Sequence, residues 1–161
     1  MIPFRLTPQQ FRERYAKSLG KQSSAAIATL RQHFTLPIGA DVERVEVRIF
    51  VGDEDPYTPS VWIYYTGKHN RIDNVDTSLF AGRSLELALG LDELEEFNER
   101  FFTDEKFDGL AIVAATLTAW VAECWWKAGG WCYPLPATLD VAEGHGGTTT
   151  VELTEKPTRP R

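Results

Sequence analysis

Cysteine is scarce: the 161 residues carry two, Cys124 and Cys132. A disulfide-stapled secreted domain needs more, so a reducing, cytoplasmic setting is the expectation. Positive charge is also short. Lys and Arg number 17 against 23 Asp and Glu, a formal net charge of −6, and no basic stripe occurs. That argues against binding a nucleic-acid backbone, which needs clustered cations. The opening MIPFRLTPQQ lacks the apolar core of a signal peptide. The longest charge-free apolar run, residues 109–122, is 14 residues, short of the ~20 that span a bilayer. No membrane contact is expected, and there is no internal repeat.

Chemical motifs are missing too. There is no GxGxxG and no Walker loop, so nucleotide-cofactor chemistry has no foothold. No CxxC pair, HExxH or close Cys/His spacing marks a metal, although Cys124, Cys132 and His145 are compatible with a distant cluster. Asp53, Glu54 and Asp55 lack the EF-hand spacing. Gly144-His145-Gly146-Gly147 is similar to the oxyanion loop of some esterases, but the GxSxG nucleophile elbow is absent and a hairpin turn explains the glycines. Cys124 falls near the end of a helix, where the dipole disfavours a thiolate, and the spacing of His33, His69 and His145 gives no signal, although any of them could approach a cysteine in space. No catalytic residue, cofactor or metal is therefore expected.

What is present is an ordinary globular composition, 43% hydrophobic and 25% charged, in a length that suits one domain. The chain is organised around residues 108–130. Leu110, Val113, Leu117, Val121 and Cys124 keep a 3.6-residue period. The opposite side, Ile112, Ala115, Ala119 and Ala122, is apolar as well. A helix apolar all round is a buried one, with Asp108 as N-cap and Gly129-Gly130 as its stop.

Around it the reading is as follows. Thr7 caps and Pro8 opens a helix with Phe11, Tyr15 and Leu19 inward, ending at Gly20. A second helix from Ser23 or Ser24 to Phe34, with Ile27, Leu30 and Phe34 inward, would complete a helical hairpin. Val45, Val47, Ile49 and Val51 alternate with Arg44, Glu46, Arg48 and Phe50, a strand with one wet face. Val61, Ile63 and Tyr65 alternate with Trp62, Tyr64 and Thr66 in an antiparallel partner. Residues 71–75 suit a weaker third strand. Leu85, Leu87, Leu89 and Leu91 alternate like a strand in a composition that favours helix, and residues 76–91 stay ambiguous. An acidic helix over 92–102 turns Leu94, Phe97 and Phe101 inward and Asp92, Glu93, Glu95, Glu96 and Glu99 outward. Residues 137–141 and 148–154 alternate as final strands. The fold class is α+β: a mainly antiparallel sheet packed on one face by helices, as a single domain over 1–154 with a flexible tail at 155–161.

Three features carry functional expectations. Three of the five tryptophans, Trp125, Trp126 and Trp131, fall within seven residues. Such a cluster suits either a core or a binding groove. Glu123, near the end of a buried helix, reads as buried and paired with an Arg, as a functional carboxylate in a pocket, or as plainly exposed. The acidic loop 53–55 and helix 92–102 read as solvated faces or as docking surfaces for a basic partner.

Trp120-Val121-Ala122-Glu123-Cys124-Trp125, then Ala128-Gly129-Gly130, then Tyr133-Pro134-Leu135-Pro136-Ala137 resembles a C-terminal signature of small bacterial proteins, some of them immunity proteins of polymorphic toxin systems. The likeness covers residues 120–141. It implies a non-enzymatic protein that neutralises a toxin by occlusion. On this reading Asp53, Glu54, Asp55, Glu95, Glu96 and Glu99 steer a basic protein partner, while Trp62, Tyr64, Trp126 and Trp131 anchor it. The alternatives are a small-molecule site or enzyme built around Glu123, and a homo-oligomer that buries the aromatic faces.

Overall fold

The computed structural model describes residues 1–40, 42–52, 58–67, 84–142 and 150–154. The expected turns at 67–70 and 143–147, the strand at 71–75, the acidic loop 53–55 and the tail 155–161 lie wholly or partly outside these residues.

The first helix, α1, runs unbroken over Pro8–Phe34. Its start is as expected. Thr7 Oγ1 accepts from the Gln10 amide and the Gln10 side chain accepts from the Thr7 amide, closing a capping box. The expected break at Gly20 does not occur. Phe11, Tyr15, Leu19, Ala26, Leu30 and His33 are all buried, and their spacings of three, four and seven keep one helical phase across Gly20. Treating Ile27, Leu30 and Phe34 as a separate stripe hides that continuity. A single core-facing seam holds the helix together, and one glycine costs only about 1 kcal/mol against it.

Strands β1 (Arg44–Phe50), β2 (Ser60–Thr66), β3 (Ser84–Glu86), β4 (Ala137–Val141) and β5 (Val151–Glu152) form one sheet in the order β3-β2-β1-β4-β5. Three pairings are antiparallel and β1–β4 is parallel. The ambiguous stretch resolves in favour of alternation. Residues 84–86 pair with β2, and the chain then continues irregularly with Leu87, Leu89 and Leu91 buried. Leu propensity for helix yields here to the burial of every second side chain.

The acidic helix 92–102 is not continuous. It splits into a 3-10 turn, Glu93–Glu96, and a four-residue helix α2, Arg100–Thr103, separated by Phe97, which forms a β-bridge with Ile2. Leu94, Phe97 and Phe101 point inward as expected. Glu93 does not point outward: both its carboxylate oxygens are buried without a hydrogen-bond partner. Phe97 and Phe101 pack around Phe11, Phe4 and Phe107, and burying that aromatic cluster requires the bend.

The central helix, α3, spans Gly109–Lys127 and packs on α1, β1 and β4. It runs in the same direction as α1: Ser23 meets Trp120, and further along Arg31 reaches the Lys127 carbonyl. By length and composition α3 could cross a membrane, yet 61% of its most apolar window is buried within the fold. Asp108 does not cap it through its side chain and instead adopts φ +52°. Asp104 organises the approach, accepting from the amides of Lys106 and Phe107. A Cβ at Gly109 would stand 2.0 Å from the Phe101 carbonyl oxygen, so the helix can begin there only on glycine. The expected stop is found, with Gly129 at φ +93°.

Candidate functional site

Helices cover one face of the sheet, where Val45, Val47, Ile49, Val61, Ile63, Tyr65, Ala137, Leu139 and Val141 are buried. The strand period of two puts their neighbours on the other face, which no described helix covers. Across it, Glu86, Trp62, Arg48 and Asp140 stand in one cross-strand row. Ser84, Tyr64, Glu46, Thr138 and Glu152 form the next row. Trp62 and Tyr64 are half-exposed, and Glu86 and Glu152 are exposed at the two edges.

The middle of this face is charged and internally paired. Glu46 takes Arg44 at 3.2 Å and Arg48 at 3.5 Å, and Arg48 also meets Asp140 at 3.6 Å. Asp140 Oδ1 makes no hydrogen bond, so that last contact is charge against charge. The Arg48 guanidinium lies over the Tyr64 ring, 5.8 Å from its centroid. Exposed pairs of this kind add little stability; they engage Arg48, which stands opposite Trp62 in the strand register. Among the described residues no cation stands against Glu86 or Glu152.

The expected anchors fall in two places. Trp62 and Tyr64 belong to the open face. Trp126 and Trp131 stack edge to face at 5.8 Å at the end of α3, and the Trp126 indole N–H donates to the Leu153 carbonyl just beyond β5. That is the opposite edge of the sheet. Trp125 belongs to the core, fully enclosed against Phe34 and Tyr133. Glu95, Glu96 and Glu99 are exposed beside Met1, away from both aromatic groups. Asp53, Glu54 and Asp55 lie outside the described residues.

Glu123 is exposed, with Lys127 at 2.7 Å one helical turn away, not buried with an arginine. It lines a groove of about 520 Å³ between α1 and α3, floored by Ala16, Gly20, Ala115 and Ala119. The side of α3 expected to be apolar is thus divided: Ile112 and Ala122 are buried, Ala115 and Ala119 face the groove. Cys124 borders it. Burial pushes the Cys124 thiol up, an effect that a hydrogen bond with Ser23 only partly offsets, so the thiolate is disfavoured. Among the described residues no group of three metal-ligating side chains occurs.

Two buried titratable pairs went unseen in the sequence. His33, at the end of α1, shares a hydrogen bond with the Tyr65 hydroxyl, and its Nδ1 has no partner. Burial lowers the His33 pKa to about 4 and raises that of Tyr65. Tyr15 and Glu93 form the second pair. Burial lifts both, and the nearby charge of Glu93 lifts Tyr15 further; the rise of Glu93 is partly offset by its own backbone amide and reinforced by Asp92 and Glu96. Alternation in residues 42–51 did mark Arg44, Glu46 and Arg48 as one wet face. Asp140, Glu86 and Glu152 were not legible, because their places depend on strand order.

The signature segment 120–137 has a structural explanation. Gly129 ends α3, and Gly130 lies against the Trp125 ring, 2.3 Å from Nε1 to where a Cβ would stand. The Pro136 carbonyl accepts from the Val45 amide, and buried Ala137 starts β4 in the sheet interior. The segment returns the chain from the central helix to the centre of the sheet. No family model, curated protein or solved structure matches the chain.

Proposed function

We propose that this chain is a non-enzymatic protein-binding domain of immunity type, cytoplasmic, that neutralises a bacterial toxin by occluding it with the open face of its sheet. The observation that carries the reading is the half-exposed Trp62–Tyr64 pair on a helix-free face. Large aromatic side chains in such positions are the usual binding hot spots. The net charge of −6 and the exposed Glu86 and Glu152 favour a partner with a basic surface. The resemblance over residues 120–141 supports the toxin-neutralising role. Trp126 and Trp131 sit too far round the molecule to join the same contact, so they are not anchors in this proposal.

The test is parallel affinity capture from host lysate with the wild-type chain, Trp62→Ala/Tyr64→Ala, and Trp126→Ala. The wild type and Trp126→Ala should retain one near-stoichiometric protein that is toxic when expressed alone. The double variant should lose it, since each true anchor is worth ~2 kcal/mol or more. Equal capture by the double variant, with its fold intact by circular dichroism, overturns the assignment.

A second reading rests on the groove between α1 and α3. Its volume is in the range of small-molecule sites, and Glu123 is exposed along it with only Lys127 as partner. A co-purifying metabolite released by Glu123→Gln, with no protein captured, would favour this reading.

A further inference from the structure

Arg48 occupies a compact site made by the protein for itself: a guanidinium over the ring of Tyr64, held laterally by Glu46 and Asp140. One residue pair along the same face, the same groups recur without the cation. Trp62 on β2 stands directly opposite Glu86 on β3, so their Cβ atoms are about 5 Å apart. Arg48, in the same cross-strand row, is engaged by Tyr64, Glu46 and Asp140. We propose that Trp62 and Glu86 receive an arginine side chain of the protein partner, the guanidinium lying on the indole with its N–H groups on the Glu86 carboxylate. This rests on the open sheet face being the binding surface, and it names the chemistry of what binds there.

Charge and geometry both select arginine. A planar guanidinium stacks on an aromatic ring and donates in a fork to a carboxylate at the same time, whereas an ammonium offers only a point charge. Trp is the strongest cation acceptor among the aromatic side chains. Among the described residues this face has two arginines, Arg44 and Arg48, and both already have partners in Glu46 and Asp140. The described carboxylates with no described cation against them are Glu86 and Glu152, on strands β3 and β5 four strand spacings apart, roughly 19 Å at about 4.8 Å each. A basic surface that crosses the sheet would therefore meet an exposed carboxylate at each described edge and a matched stacking site at one.

The probe is hexa-arginine, titrated into the full chain at low salt, with hexa-lysine and hexa-glutamate as controls. The readout is the indole N–H resonances, Trp62 being assigned through Trp62→Phe. Hexa-arginine should move the Trp62 resonance, and Glu86→Gln should weaken its binding about five-fold. Hexa-lysine should bind more weakly, and Glu95→Gln/Glu96→Gln/Glu99→Gln should leave the Trp62 response unchanged. Glu86 is exposed, so its variant keeps the fold. Unchanged affinity of Glu86→Gln, or a response confined to Trp126 and Trp131, overturns the proposal. A captured partner that needs Trp62 and Tyr64 but not Glu86 would sink the arginine site and leave the open-face reading standing. A partner indifferent to all three would sink that reading itself.

Discussion

Replacing Gly20 by alanine separates two pictures of the N-terminal third. If Gly20 ended one helix of a hairpin, it would supply a positive φ, and alanine would be strained there. In the structure it lies inside α1, is absent from the positive-φ glycines, and a Cβ on it would meet nothing within 4 Å. Alanine should then stabilise the fold by about 0.5–1 kcal/mol, because the unfolded chain loses freedom that the helix never used. At this chain length that is a rise in melting temperature of about 1–4 °C. Gly129 is the matched control: a Cβ there is equally unobstructed, but φ is +93°. Gly129→Ala should cost about 1 kcal/mol from backbone strain alone. Urea unfolding followed by circular dichroism measures both, and the slopes should match the wild type. A loss of stability in Gly20→Ala, or a gain in Gly129→Ala, would refute the reasoning.

Gly130→Ala should cost about 2 kcal/mol or more by the same assay, since its Cβ would collide with the enclosed Trp125 ring at 2.3–2.6 Å. Glu93→Gln should raise stability at pH 7 by about 1 kcal/mol, because it removes a buried carboxylate charge with no hydrogen-bond partner. A drop at neutral pH would mean that Glu93 is satisfied after all. For His33 the folded pKa, about 4, lies below the ordinary value of 6.5. Between these values the unfolded state binds the proton and the native state does not, so stability falls as pH drops from 6.5 to 4 and levels off below. His33→Phe should remove up to about 3 kcal/mol of that dependence, read as a flatter plot of unfolding free energy against pH. An unaltered slope in the variant would show that His33 titrates normally.

Much of the fold was legible because it depends on local periodicity. Both faces of β1 and β2, the apolar central helix, its Gly129 stop and the Thr7–Pro8 start follow from side-chain spacing and backbone preference within a few residues. The errors have physical sources too. Gly20 is a helix breaker only when nothing else holds the helix, and the seam from Phe11 to His33 does. The acidic run 92–102 has helical composition, yet the aromatic cluster of Phe4, Phe11, Phe97 and Phe101 bends it into two short turns. Asp108 has the residue type of an N-cap, but it takes a positive φ of +52° and makes no capping hydrogen bond through its side chain.

The candidate site shows the same division. That Arg44, Glu46 and Arg48 share a wet face, and that Trp62 and Tyr64 share one face of their own strand, is contained in the sequence as alternation. That Glu86 faces Trp62, that Asp140 draws on Arg48, and that Trp126 and Trp131 sit at the far edge was decided by strand order. The exposure of Glu123 was decided by how α3 rotates against α1. Periodicity specifies which way a side chain points from its own strand or helix. What it points at depends on register and packing between segments far apart in the chain, and these are set by the collective burial of the core.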